Sequence, residues 1–179
     1  MSVTLVPLYP EAELKRRVAE LSAEISRVYA DTGFIAIVVM NGGLFFASDL
    51  LRLVTVPVMV DSIAAGSYLH HASTGRVDIR GGQKLDPKGR HILLIDDILD
   101  TGLTLAKLRA KFLEDGAASC RTCVLIDKDI PAESKKIRAD WFGFKSPAEY
   151  LVGFGMDSDE LYRNLPNICI LREDEAVPT

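Results

Sequence analysis

Asp96, Asp97 and Asp100 place three carboxylates within five positions, directly after the apolar run Ile92-Leu93-Leu94-Ile95 and directly before Thr101-Gly102-Leu103-Thr104. An apolar run ending in charge reads as a buried strand emerging at the edge of a sheet, and the glycine-containing turn after it opens a helix. Backbone N–H groups at such a turn and helix N-terminus, with the Thr101 and Thr104 hydroxyls, form a cradle for a phosphate without any cationic side chain. Asp96 and Asp97 would repel that phosphate on contact. Set one turn away, they are suited to accept hydrogen bonds from vicinal sugar hydroxyls and to favour positive charge developing on a sugar ring. Two other readings cover less of the pattern. A phosphorylation-receiver site also closes a strand with an acidic pair, but there the pair stands near the N-terminus and another Asp ends a later strand; here the pair is mid-chain and Asp100 follows at once. Helix capping explains Asp100 and leaves the other two acids without a role.

The elements that must position these groups repeat one order. Residues 11–30 carry Leu14, Val18, Leu21, Ile25 and Val28 at alternating steps of four and three, the stripe of an amphipathic helix lying on a core. The run from Phe34 to Met40 is apolar throughout, then Asn41-Gly42-Gly43 lead into a helix-like segment through Leu51. Residues 56–64 read as a second strand, 92–95 as a third with a helix near 102–113, and 122–126 as a fourth. Strands alternating with helices, and apolar on both faces, predict an α/β fold with an open parallel sheet and helices on both sides. Ligands bind such sheets at the carboxyl ends of the strands, where the acidic segment turns. Residues 66–75, polar, glycine-bounded and aperiodic, read as a mobile loop or lid. His70 and His71 within it read as solvated side chains, and the segment from Arg172 onward as a frayed tail.

A chain of 179 residues with 48% hydrophobic and 26% charged residues has ordinary globular usage, enough for one sizeable core. The net charge of −4 gives no footprint for a long nucleic-acid backbone, so an anionic substrate must be met by local groups. The apolar stretch near the start is far shorter than the roughly 20 residues of a membrane-spanning helix, and no basic-then-apolar signal precedes it. No membrane partner and a cytoplasmic address are therefore expected. Cys120, Cys123 and Cys169 make no disulfide framework. Cys120 and Cys123 form a C-x-x-C, but a strand sends residues three apart to opposite faces and no second ligand pair follows, so packing is their expected role.

The acidic segment resembles the phosphoribosyl pyrophosphate (PRPP) signature of type I phosphoribosyltransferases: apolar strand, two acids, two apolar residues, then Asp-Thr-Gly-x-Thr. Further matches narrow the resemblance to the hypoxanthine-guanine group: Ser67-Tyr68 with Ser73-Thr74-Gly75; Asp127-Lys128; Trp141 to Phe144 and Pro147; Tyr150 to Asp157; and Tyr162 to Pro166. The resemblance runs from about residue 34 to 171. It implies a type I phosphoribosyltransferase fold, one domain over 1–179, with a central parallel sheet, flanking helices and a small hood. It also implies Mg²⁺-dependent transfer of phosphoribosyl from PRPP to hypoxanthine or guanine, in a homodimer or homotetramer. In this family pattern Asp96 and Asp97 hold the ribose hydroxyls. Ile98, Leu99, Thr101, Gly102, Leu103 and Thr104 bind the 5′-phosphate, and Asp100 acts as general acid or base near purine N7. Lys128 donates to the 6-oxo group, Tyr150 stacks on the base and Leu151 offers backbone contacts to its edge. Asn41, Gly42 and Arg163 meet pyrophosphate, Asp157 meets Mg²⁺ and pyrophosphate, and Ser67 and Tyr68 belong to the catalytic lid. Two positions depart from the pattern: Asn41 and Leu103 stand where basic or polar residues are common, leaving backbone N–H groups and Mg²⁺ to carry more of the phosphate charge. A sibling enzyme preferring xanthine or adenine, and a non-catalytic PRPP sensor, are the alternatives; a sensor has no need of Asp100, Tyr68 and Lys128, and all three are present.

Overall fold

The computed structural model describes residues 3–66, 78–80 and 84–173. In chain order the elements are β1 (Val3–Tyr9), α1 (Glu11–Val28), β2 (Phe34–Met40), α2 (Gly43–Leu53), β3 (Val58–Gly66), β4 (Asp78–Arg80), β5 (His91–Leu99), α3 (Leu103–Glu114), β6 (Ser119–Lys128), β7 (Trp141–Ser146), β8 (Leu151–Val152) and β9 (Ile168–Glu173). Five strands form a parallel sheet in the order β3-β2-β5-β6-β7, with β4 added antiparallel at the β3 edge. A second, antiparallel sheet has the order β1-β9-β8.

Strand β2 shows why the sequence selects this architecture. Its side chains alternate between two cores: Phe34, Ala36 and Val38 pack with α1 and α2, whereas Ile35, Ile37 and Val39 pack with α3. A strand apolar at every position thus needs a helical layer on each face, as expected from the sequence. Helix α1 buries Leu14, Val18, Leu21 and Ile25. It ends earlier than the periodicity suggests, and Val28, the last member of the expected stripe, is exposed as the final helical residue. Cys120 and Cys123 fall into opposite cores, and burial pushes the Cys120 thiol up to about 12 and the Cys123 thiol further. All three cysteines are free, and neither member of the pair is poised as a thiolate.

Several elements differ from the periodicity, among them β6, which runs on from the expected 122–126 to include Lys128. Strand β3 begins at Val58, after Pro57, which has no N–H to give to the ladder. Strand β5 runs on to Leu99, so Asp96 and Asp97 lie within the sheet, Asp96 opposite Val124 of β6, instead of beyond its end. Strand β1 escapes the periodicity altogether, since Pro7 breaks its pattern; the register shift against β9 falls at that point. Among the described residues no helix is long and apolar enough to cross a membrane.

Candidate active site

The C-terminal ends of β2, β5 and β6 converge on one cleft. Here the Asp97 N–H donates to Asp96 Oδ1 and the Ile98 N–H to Asp97 Oδ1, both at 3.0 Å. Burial, and then the neighbouring Asp97 charge, raises the Asp96 carboxyl well above the usual carboxylate range. Asp97 is raised by burial too, though backbone N–H groups and Arg163 offset part of the effect. The folded state therefore holds a proton on this pair that the unfolded chain releases near pH 4, and stability falls as pH rises from there towards the folded value. Asp96→Asn is expected to raise the ligand-free thermal midpoint at pH 8 by about 2–4 °C, the response to ~1 kcal/mol in a chain of this size. The gain should vanish near pH 4 and be accompanied by weaker PRPP binding; thermal melts at the two pH values check it.

The glycine loop after β2 closes on these acids. A side chain on Gly42 would place its Cβ 2.1 Å from Asp97 Oδ2, and one on Gly155 would lie 2.1 Å from the Gly42 carbonyl. Gly155 has φ +106, and Arg163 Nη1 donates to its carbonyl at 2.7 Å. Stacked in this way, Asp97, Gly42, Gly155 and Arg163 leave room for backbone only. Asn41 beside them is exposed, so its side chain is free of the core.

Beyond β5 the chain turns through Gly102, at φ +72, into α3. Helix α3 has no side-chain cap at its N-terminus, which leaves first-turn N–H groups without a side-chain acceptor and suited to an anion. Thr101 is exposed, Ile98, Leu103 and Thr104 are half-buried, and Leu99 is buried against Leu105 and Leu108 in the α3-side core. The turn thus offers amides and hydroxyls on the outside and an apolar anchor beneath.

Lys128 ends β6 with its Nζ 3.9 Å from Asp100 Oδ2. A cavity of about 170 Å³, several times the ~30 Å³ share of one water, is lined by Asp97, Ile98, Lys128, Tyr150, Leu151, Met156 and Asp157. Tyr150 is exposed, and its hydroxyl donates to the Asp157 carbonyl at 3.1 Å. Leu151 is buried and pairs with Ile170 of β9. The Asp157 carboxylate accepts from Arg163 Nη2 at 2.8 Å and from the Glu160 N–H at 2.9 Å. Arg163 also binds Glu160 through Nε and Nη2, so most of its donors hold this loop in shape. The loop is wound tightly, with Gly153, Phe154, Gly155, Asp159, Glu160 and Tyr162 all at positive φ, and such conformations concentrate where structure over-determines a binding geometry.

A family model described as phosphoribosyl transferase domain matches residues 8–159. The chain belongs to the phosphoribosyl transferase family. It is 37% identical to the hypoxanthine-guanine-xanthine phosphoribosyltransferase of Tritrichomonas foetus, over 93% of this chain and 91% of that one. It is 39% identical to the hypoxanthine-guanine phosphoribosyltransferase of Bacillus subtilis (strain 168), over 92% of each. A solved hypoxanthine-guanine phosphoribosyltransferase from Bacillus anthracis superposes with a TM-score of 0.87 at 32% identity, covering 96% of this chain and all of that one. The type I phosphoribosyltransferase fold expected from the acidic signature is thus the fold observed.

Within this phosphoribosyl transferase framework the acid pair, the turn, Lys128, Tyr150, Leu151, Asp157 and Arg163 gather at one end of the sheet. Ser67 and Tyr68, with the rest of the expected lid and His70 and His71, lie outside the described residues. Among the described residues no cluster of three or more metal-ligating side chains occurs. Sequence reasoning missed Met156, which lines the cavity, and the partners of Asp127. Neither carries a signal of its own: Met156 is an apolar residue in a loop, and Asp127 meets lysines far along the chain.

Proposed function

We propose that the chain transfers the 5-phosphoribosyl group of PRPP to hypoxanthine or guanine, releasing pyrophosphate, with Mg²⁺ as cofactor. One observation carries this reading: Lys128 faces Asp100 at 3.9 Å, between the uncapped turn and the cavity under Tyr150. A base lying on Tyr150 would present its 6-position to Lys128 and its N7 side to Asp100 while the sugar phosphate occupies the turn. Asp96 and Asp97 accept hydrogen bonds from the ribose hydroxyls, which relieves the strain of two half-buried acids side by side. Ile98, Leu99, Thr101, Gly102, Leu103 and Thr104 surround the 5′-phosphate with backbone N–H groups and hydroxyls. Asn41, Gly42 and Arg163 border the leaving pyrophosphate, and Leu151 meets the base edge. The family pattern gives Ser67 and Tyr68 the role of excluding water from the cationic sugar.

Mg²⁺ binds through one or two carboxylates, several waters and substrate phosphates, so a single carboxylate beside the substrate phosphates would serve it. Asp157, with the acid pair nearby, is the donor that would hold it, and the ion supplies neutralisation of pyrophosphate charge. The C–O bond to pyrophosphate breaks as purine N9 takes the anomeric carbon, and Asp100 handles the purine proton. Positioning and electrostatics supply most of the rate. Relatives named for hypoxanthine and guanine support the choice of bases. Incubation with PRPP, Mg²⁺ and hypoxanthine or guanine should yield nucleotide and pyrophosphate in equal amounts. Release of pyrophosphate without nucleotide, or no turnover with either base, would contradict the reading.

A further inference from the structure

Asp127 is the only charged residue among the described residues that is buried, at 6% exposure. It precedes Lys128 on β6, so strand alternation turns the two side chains to opposite faces. Its Oδ1 accepts from Lys135 Nζ, and its Oδ2 accepts from Lys145 Nζ at 2.6 Å. Burial pushes the carboxyl up, but the two ammonium groups outweigh it and hold Asp127 below the usual value. Lys135 is nearly enclosed with it, whereas the Lys145 side chain is 55% exposed. Buried ion pairs of this kind seldom stabilise a fold more than apolar packing does, so what they position matters more than their strength.

The positions of the partners say what is held. Directly after Lys135, the Lys136 N–H donates to the Thr101 carbonyl at 2.7 Å. The next residue, Ile137, packs on Gly102 so closely that a Cβ there would lie 2.6 Å from Ile137 Cγ2. Lys145 leads the other way: the Tyr9 hydroxyl of β1 donates to its carbonyl, and the Tyr9 ring stacks on Phe144 at 4.3 Å. Asp127 therefore joins the strand end that carries Lys128, the segment that bears on the phosphate turn, and the edge strand that carries the second sheet.

We infer that Asp127 is a positioning residue: through Lys135 it presses residues 136–137 onto Thr101 and Gly102 and so fixes the amides that receive the 5′-phosphate. The inference rests on the PRPP reading above. Its test is the Kd for PRPP, measured by titration calorimetry with Mg²⁺ on the unmodified chain, Asp127→Asn, Lys135→Met, their double variant and Asp140→Asn. Both single variants should weaken PRPP by about 10-fold or more, a loss of the size that sub-ångström misplacement produces. The double variant should be no worse than either single by more than about 2-fold, because one linkage is broken in each case. Asp140 fixes the far end of the same segment by accepting from the Thr122 N–H and hydroxyl. Asp140→Asn should lower the thermal midpoint yet leave Kd within about 3-fold, which separates positioning from general loosening. If Asp127→Asn fails to fold, Lys135→Met decides alone, since Lys145 still compensates the carboxylate there. Unchanged PRPP affinity in the folded variants, additive losses, or an equal loss in Asp140→Asn would overturn the inference. No PRPP binding by the unmodified chain would instead overturn the substrate reading, and the inference with it.

Discussion

Asp100→Asn is expected to lower kcat by about 10²–10⁴-fold while leaving the Kd for PRPP nearly unchanged. The amide keeps the shape of the carboxylate and its capacity to accept a hydrogen bond, but it cannot take up a proton. Asp100 precedes the turn, with its side chain 57% exposed and facing Lys128 instead of the phosphate cradle. On the proposed reading PRPP affinity comes from the amides of the turn, the acid pair and the pyrophosphate contacts, none of which the substitution touches. Single-turnover rates, which isolate chemistry from product release, are the measurement; a rate within about 3-fold of the unmodified chain would remove Asp100 from proton transfer.

Lys128→Gln is the second large effect. An ammonium only donates hydrogen bonds, and with its side chain 16% exposed Lys128 has little water to turn to. Hypoxanthine, guanine and xanthine present an acceptor oxygen at the 6-position, whereas adenine presents an amino group, so donor would face donor. An unsatisfied charged group costs at least about 1–3 kcal/mol, and sites built on such a bond reject the wrong partner by up to about 10⁴-fold. Glutamine carries both a donor and an acceptor. The variant should lose kcat/KM for hypoxanthine by about 10²-fold and change little for adenine, narrowing the gap from the oxopurine side. A variant that gained adenine use without losing hypoxanthine would assign selectivity elsewhere.

The parts of the molecule that were legible in the sequence are those where one strong local pattern decides the structure. Phe34 to Met40 had no polar position to expose, so a strand covered on both faces was the one economical solution, and β2 has those bounds. The acidic segment was legible because three carboxylates beside a Thr-Gly turn have few structural uses. Strand ends were less legible: nothing in Asp96 or Asp97 says that the β5–β6 ladder carries on past them, since that is decided by the partner strand. The antiparallel sheet joins residues at opposite ends of the chain, Val3 with Glu173, and β8 is two residues long, so no period marks it. Arg163 read as a pyrophosphate ligand from its motif, whereas its bonds to Gly155, Asp157 and Glu160 depend on how the loop winds. The Asp127 linkage lay beyond reach for the same reason, its lysines being 8 and 18 positions away.

A single competition measures the substrate claim most directly. The unmodified chain is given Mg²⁺, limiting PRPP and equal concentrations of hypoxanthine and adenine, and the two nucleotide products are quantified. Competing substrates partition by their kcat/KM values, so inosine monophosphate should exceed adenosine monophosphate by at least about 100-fold if Lys128 reads an acceptor at the 6-position. Comparable amounts of the two nucleotides would contradict both the role of Lys128 and transfer selective for 6-oxopurines.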